Sequence, residues 1–447
     1  MRATWRMLAG RRDLRLLLCA GTISLTGDWV LIIGLIYRVY AVTGSTVASA
    51  LTMASSTAPQ VLLGAVAGVF ADRWDRKRTM IVANLLLAAG LLPLLLVRGA
   101  GQVWIVFVVM FAEGSIKQFF SPAEQALLPR LVPDEELLAA NALNGQVSNA
   151  SRLAGSAIGG VLVAAGGLAA VTLTDAASFV ASAVLLALVR ASGRAAGPDA
   201  PGQRARTIRL GLRRIGAELR AGLGLSARNR VLRALMIFAL VTSVGEGIMS
   251  TLFTPFAEHV LHGSSQEFGL IVAAQAVGGI AGGVVAASAG HRARASRLLS
   301  VGAIVFGLVD LAIFLYPLVY VAVWPAIAGM IIVGVPGALA LAGLITLFQR
   351  NTEDAYRGRV FGAISTAEGV TVLAGTLAAG YLSRFAGIIP VLAIQGAAYI
   401  AAGIAMFVWL KDDPGSGDLR PVGDEGIPAV TDPDLMADRR DVSLAQS

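Results

Sequence analysis

Only 14% of the 447 residues are Asp, Glu, Lys or Arg, and the chain has one cysteine, Cys19, and three histidines, His259, His262 and His291. Ordinary soluble domains are about a quarter charged, so a water-facing skin is excluded. A lone cysteine builds no internal disulfide framework. Three histidines without a His-Glu-x-x-His pattern supply no zinc site and no protease base. No Gly-Lys-Ser/Thr sequence occurs, which removes a P-loop and with it ATP as an energy source within this chain. No metal, no cofactor and no catalytic residue is expected, and the chain is not expected to be an enzyme.

What it has in abundance is apolar length: 56% of the residues are AVILMFWYC. A bilayer core needs about 20 mostly apolar residues per helix. Such runs fall at roughly 14–37, 46–71, 79–97, 103–128, 142–165, 167–190, 231–257, 267–289, 298–316, 319–348, 360–383 and 388–410, which predicts twelve transmembrane helices. Arg11 and Arg12 ahead of Leu16 to Ala20 imitate a secretion signal, but Leu18 is too bulky before Cys19 and the apolar run continues to Tyr37, so no cleavage is expected. The formal charge of +8 does not describe a nucleic-acid-binding face. The bases gather at span ends: Arg2, Arg6, Arg11, Arg12 and Arg15; Arg73, Arg76, Lys77 and Arg78; Arg292, Arg294 and Arg297; Arg350, Arg357 and Arg359. All four groups fall on one side, which the positive-inside rule makes cytoplasmic, together with both termini. Arg outweighs Lys, as in proteins from GC-rich bacteria, so the expected location is a bacterial inner membrane.

The organisation predicted is an amino-terminal six-helix bundle (1–190), a basic cytoplasmic linker (191–229), a second six-helix bundle (230–410) and an acidic, disordered cytoplasmic tail (411–447). The linker can lie as a basic amphipathic helix on lipid or serve as a plain joint. The bundles echo each other at an offset of about 219 residues. Gly27-Asp28 answers to Gly245-Glu246, Gly44-Ser45 to Gly263-Ser264, and Ala154-Gly155-Ser156 to Ala374-Gly375-Thr376.

Ionisable groups inside a span are costly unless paired or hydrated, so each is a functional candidate. Asp28 and Glu246 are repeat mates at similar depth, each able to exchange a proton, to meet a cationic substrate, or to fill a helix contact as a hydrogen-bonded carboxyl. Glu113 and Lys117 are one turn apart and read as a self-neutralising pair or as part of the coupling machinery. Arg152 and Asp175, at comparable depth on consecutive helices, are expected to form an intramembrane ion pair. Glu368 is a further coupling candidate, and Asp310 the weakest. Acids outnumber bases in mid-membrane, which favours protons and amphiphilic cations over anions.

At this point the sequence resembles the major facilitator superfamily. Gly68, then Asp72-Arg73, Asp75, Arg76, Lys77 and Arg78 is similar to that superfamily's signature loop, with Asp75 in place of a Gly. Phe120-Ser121-Pro122-Ala123, Ala126-Leu127-Leu128-Pro129, Ala140-Asn141 and Arg357-Gly358-Arg359-Val360 resemble its macrolide-efflux and enterobactin-exporter branch. Gly155, Gly159 and Gly160 resemble an antiporter packing motif, with Ser156 replacing its Pro; simple helix packing would select the same glycines. The resemblance implies an all-α polytopic membrane protein, two pseudo-symmetric six-helix bundles of the major facilitator fold. It implies a secondary active transporter: a proton-coupled exporter of amphiphilic, drug-like molecules working by alternating access, powered by the proton gradient. A siderophore or lysophospholipid transporter of the same fold, or a membrane sensor without flux, is the alternative. The charged loop becomes a cytoplasmic gate latch, or merely a topology anchor. Expected partners are membrane lipid and a small amphiphilic substrate, with the protein a monomer.

Overall fold

The computed structural model describes residues 10–71, 75–190, 229–289, 294–352 and 357–410. Asp72 and Arg73 of the charged loop, residues 191–228 of the linker and the tail from 411 lie outside them. The described chain is all helical: α1 (Arg12–Thr43), α2 (Thr46–Ala71), α3 (Arg76–Leu91), α4 (Val103–Leu127), α5 (Asp134–Ala187), α6 (Arg230–Pro255), α7 (Ser265–Ala289), α8 (Ala295–Leu315), α9 (Trp324–Arg350), α10 (Arg357–Ala386) and α11 (Ile388–Trp409). Among the described residues, nine helices are long and apolar enough to cross a membrane. Their outward faces carry Val82, Leu86, Val108, Leu308, Ile332 and Phe407 exposed. In water that surface would drive aggregation; against lipid tails it costs nothing. Trp104, Trp324, Tyr381 and Phe385 are exposed at helix ends, as anchors at a headgroup boundary are.

Local chemistry sets the breaks. α1 stops at Gly44, whose positive φ of 58° lets its N–H bond back to the Tyr40 carbonyl at 2.7 Å. Asn229 caps α6 by accepting from the N–H groups of Val231 and Leu232. α5 is one run of 54 residues folded at Gly167 (φ 61°, ψ −154°) into two arms, 134–166 and 168–187. At about 1.5 Å per residue, an unbroken helix of that length would overshoot a bilayer more than twofold. The break therefore falls where the sequence separates spans 142–165 and 167–190. Of the apolar run 319–348, residues 319–323 stand outside the helix. Helix α9 begins at Trp324 with Pro325 in its first turn, where a missing N–H is harmless.

Helices α1 to α5 pack among themselves, as do α6 to α11, and the principal contacts between the two sets are α5 against α7 and α2 against α10. Both junctions are made by glycine. A Cβ on Gly160 would meet the Ser265 carbonyl, and one on Gly380 would meet the Thr46 carbonyl and Ala50. Each junction is tied by the same bond. Thr46 Oγ1 donates to the Gly380 carbonyl at 3.1 Å, and Ser265 Oγ donates to the Gly160 carbonyl at 3.2 Å. Thr46 and Ser265 each open their helix, and the two ties are related by the internal repeat offset.

Candidate functional site

The amino-terminal set encloses a cluster of four ionisable side chains. Asp28 comes from mid-α1, Glu113 and Lys117 from one face of α4, and Asp175 from the second arm of α5. The Lys117 ammonium lies 3.0 Å from Asp28 Oδ1 and donates to Glu113 Oε1. It is therefore shared by two carboxylates, where the spacing of four had suggested a closed pair. Glu113 is buried. Asp175 Oδ1 accepts from Ser178 Oγ at 3.0 Å, and both sit on Gly27, where any Cβ would collide with them. The missing side chain at Gly27 lets Asp175 approach, and the charges that bear on it are those of Asp28, Glu113 and Lys117.

The carboxy-terminal set holds a second polar group. Glu246 of α6 accepts from the Tyr399 hydroxyl of α11 at 2.6 Å, and the Tyr399 ring rests on Phe306 of α8 with centroids 4.4 Å apart. One turn earlier on α11, Gln395 donates through Nε2 to Asp310 Oδ2 at 3.1 Å. Glu246 is accessible although it lies in mid-span with protein all round it, which is the setting of a side chain that lines an opening between helices.

Arg152 and Asp175 do not form the ion pair expected of them. Arg152 donates to Gln275 Oε1 of α7, and its guanidinium lies over the Trp29 ring at 5.2 Å from the centroid. The reason is azimuth. Residues 152, 156 and 160 form one stripe of the first arm of α5, and that stripe meets α7: Gly269 packs on the Ser156 carbonyl and on Gly160. Asp175 faces α1 instead. Arg152 thus crosses from one helix set to the other, near enough to Glu246 to feel its charge.

The packing glycines divide between two neighbours. Gly155 and Gly159 lie against Thr26, Trp29 and Val30 of α1, and Gly160 against α7. Glu368 of α10 is half-buried and joins neither cluster; among the described residues its carboxylate has no hydrogen bond or ion pair. Of the charged loop, Gly68 lies in α2 and Asp75 caps α3, accepting from the Arg78 N–H at 3.0 Å. Lys77 donates to the carbonyls of Ala187 and Val189 at 2.9 and 2.7 Å. Arg76 opens α3. The Asp75 and Lys77 bonds stay within the amino-terminal set. Reading the sequence missed Tyr399, Gln395 and Gln275. Their signal was available: Gln395 and Tyr399 are polar side chains four apart in an otherwise apolar span.

Comparison with known proteins agrees with this architecture. The chain is 26% identical over 409 residues to the uncharacterized MFS-type transporter YfiS of Bacillus subtilis, covering 91% of this chain and 95% of that one. It is 24% identical over 342 residues to macrolide efflux protein A of Streptococcus pyogenes, covering 76% and 81%. Among solved structures, the nucleoside transporter NupG superposes with a TM-score of 0.72 at 12% identity, over 89% of this chain and 99% of that one. The profile of the transmembrane secretion effector family matches residues 6–422. With nearly the whole chain inside that match, and the fold shared with a solved transporter, the protein belongs to the transmembrane secretion effector family of the major facilitator superfamily.

Proposed function

We propose that this protein is a proton-coupled secondary exporter of amphiphilic small molecules, working by alternating access. The proposal comprises twelve spans in two six-helix bundles, 1–190 and 230–410, with 191–229 as the joint and 411–447 as a cytoplasmic tail. The observation that carries it is the pair of repeat-related acids. Asp28 and Glu246 stand at equivalent positions of the two bundles, and each is held by a partner from its own bundle, Lys117 or Tyr399. Arg152 and Gln275 lie between the bundles.

Such an arrangement links protonation to contact. While Asp28 is ionised, the Lys117 ammonium is drawn to it; a proton on Asp28 cancels that attraction and leaves Lys117 to Glu113. A cationic substrate group competes for the same carboxylates. The two bundles then rock about the α5–α7 and α2–α10 junctions, exposing the acids to one side or the other. Resemblance to a macrolide efflux protein supports export and a drug-like cargo. The proton gradient supplies the energy, and no bound cofactor is needed. The setting proposed is a bacterial inner membrane, both termini cytoplasmic, with a monomer in contact with lipid as the working unit. The segment Asp72 to Arg78 serves as the cytoplasmic latch, and Glu368 as an auxiliary carboxylate on α10.

The test is uptake of labelled amphiphiles, a macrolide and a cationic dye among them, into inverted membrane vesicles. Wild type is expected to accumulate at least one compound in a protonophore-sensitive manner, and the Asp28→Asn, Glu246→Gln double variant to lose at least about tenfold of that rate. Unchanged protonophore-sensitive export in the double variant would remove the acids from the mechanism.

A further inference from the structure

Asp310 has no place in the mechanism above, yet among the described residues it is the most deeply buried acid of the carboxy-terminal set. Helices α8 and α11 touch through Gly307 and Gly396, where each glycine occupies the space a side chain would need. Asp310, one turn from Gly307, and Gln395, next to Gly396, are each only 1% exposed. Gln395 Nε2 donates to Asp310 Oδ2 at 3.1 Å, while Gln395 Oε1 of the same amide is buried and has no hydrogen-bond partner. No cation pairs with Asp310 among the described residues. The ionisable side chains that bear on this carboxyl are Glu246 of α6 and Tyr399 of α11. Helix α9, also packed on α8, carries no charge before Arg350 at its far end.

We infer that Asp310 and Gln395 form a second proton-holding site, in which a neutral carboxylic acid closes a two-bond ring with the amide. An ionised carboxylate there would be a buried charge with one neutral donor, and it would leave Gln395 Oε1 without a partner. The protonated acid answers both defects. Its O–H donates to Gln395 Oε1, its second oxygen accepts from Nε2, and neither amide atom is left unpaired. The ligand is a single proton: the site is neutral when loaded and carries one negative charge when empty. Glu246 lies within electrostatic range, and its partner Tyr399 stands one turn from Gln395 on α11. Like charges close together in low dielectric are not formed at once, so the two acids give up protons in succession, and Asp310 acts as the reserve behind the accessible Glu246. This rests on the proton-coupled reading for its use, while the chemistry of the site stands by itself.

The experiment is infrared difference spectroscopy of the full chain in lipid nanodiscs during a pH titration, in wild type, Asp310→Asn and Gln395→Leu. Wild type should show the C=O stretch of a protonated carboxylic acid at neutral pH. Asp310→Asn should lose one acid's share of that band. Gln395→Leu should keep the band but move it to higher wavenumber, because its C=O no longer accepts from the amide. A wild-type spectrum without the band, or the same band in Asp310→Asn, overturns the assignment. No transported compound is involved, so the vesicle assay can fail while this band is present, and the reverse. In vesicles, Asp310→Asn is expected to change the pH profile of uptake while retaining substrate binding; an unaltered profile would deny the site any part in coupling.

Discussion

Replacing Lys117 with Met is expected to cost about 3 kcal/mol of stability, the lower end of the range for removing one partner of a buried ion pair, because the Lys117 side chain is 30% exposed. Asp28 and Glu113 share that ammonium, and without it the two acids have no cation between them. The variant Asp28→Asn, Glu113→Gln, Lys117→Met should regain most of the loss, because it exchanges the ammonium together with both carboxylates it contacts for uncharged groups of similar shape and leaves only Asp175, which keeps its Ser178 hydrogen bond. Thermal unfolding of the detergent-solubilised variants measures both, and adding the single variants Asp28→Asn and Glu113→Gln and the double variants lets a mutant cycle give the coupling. If Lys117→Met melts with wild type, the ammonium is not the centre of the cluster. The single variant should also be inactive in vesicles, and the triple variant, which lacks the proton-binding acid of α1, should remain so despite its recovered fold.

Gly247→Val should be the most damaging glycine substitution in α6. A Cβ at Gly247 would strike the Val372 carbonyl and come within 2.7 Å of the Thr376 nitrogen and 3.1 Å of the Gly375 carbonyl carbon. All of these are backbone atoms of α10, which cannot swing aside as a side chain can. The same contact carries the bond from Thr376 Oγ1 to the Gly247 carbonyl at 3.3 Å and that from Thr251 Oγ1 to the Thr376 carbonyl at 3.3 Å. Overpacking typically costs about 1–3 kcal/mol and more when backbone must move. Little monodisperse protein is expected on size-exclusion chromatography. The control is Gly283→Val on α7, where nothing lies within 4 Å of the added carbon and the yield should match wild type. Equal yields for the two variants would mean that α6 and α10 are not in backbone contact.

Apolar length was the property most readable from the chain, and it located the helices. A fixed rise per residue makes similar heights for Asp28 and Glu246 an expectation. Azimuth was harder, and the error over Arg152 shows why. Equal depth on consecutive helices suggested Asp175 as its partner, but which way a side chain points is decided by the neighbour the helix packs against. The stripe of residues 152, 156 and 160 turns to α7. That stripe was visible in the spacing; the identity of the helix it would meet was not, since it depends on contacts more than a hundred residues away. Tyr399 was passed over for a related reason. An aromatic residue in an apolar span reads as packing until a carboxylate such as Glu246 is found 2.6 Å from its hydroxyl. The Asp28–Lys117 contact also joins non-neighbouring helices, and only the internal Glu113–Lys117 spacing was local enough to be read.

The ties at Thr46–Gly380 and Ser265–Gly160 are bonds between neutral groups. Hydrogen bonds of that kind contribute roughly 0.5–1.5 kcal/mol each, and mobile ions do not screen them as they screen exposed charge pairs. Breaking these two ties, as distinct from the Arg152–Gln275 contact of the α5–α7 junction, should therefore depend little on ionic strength.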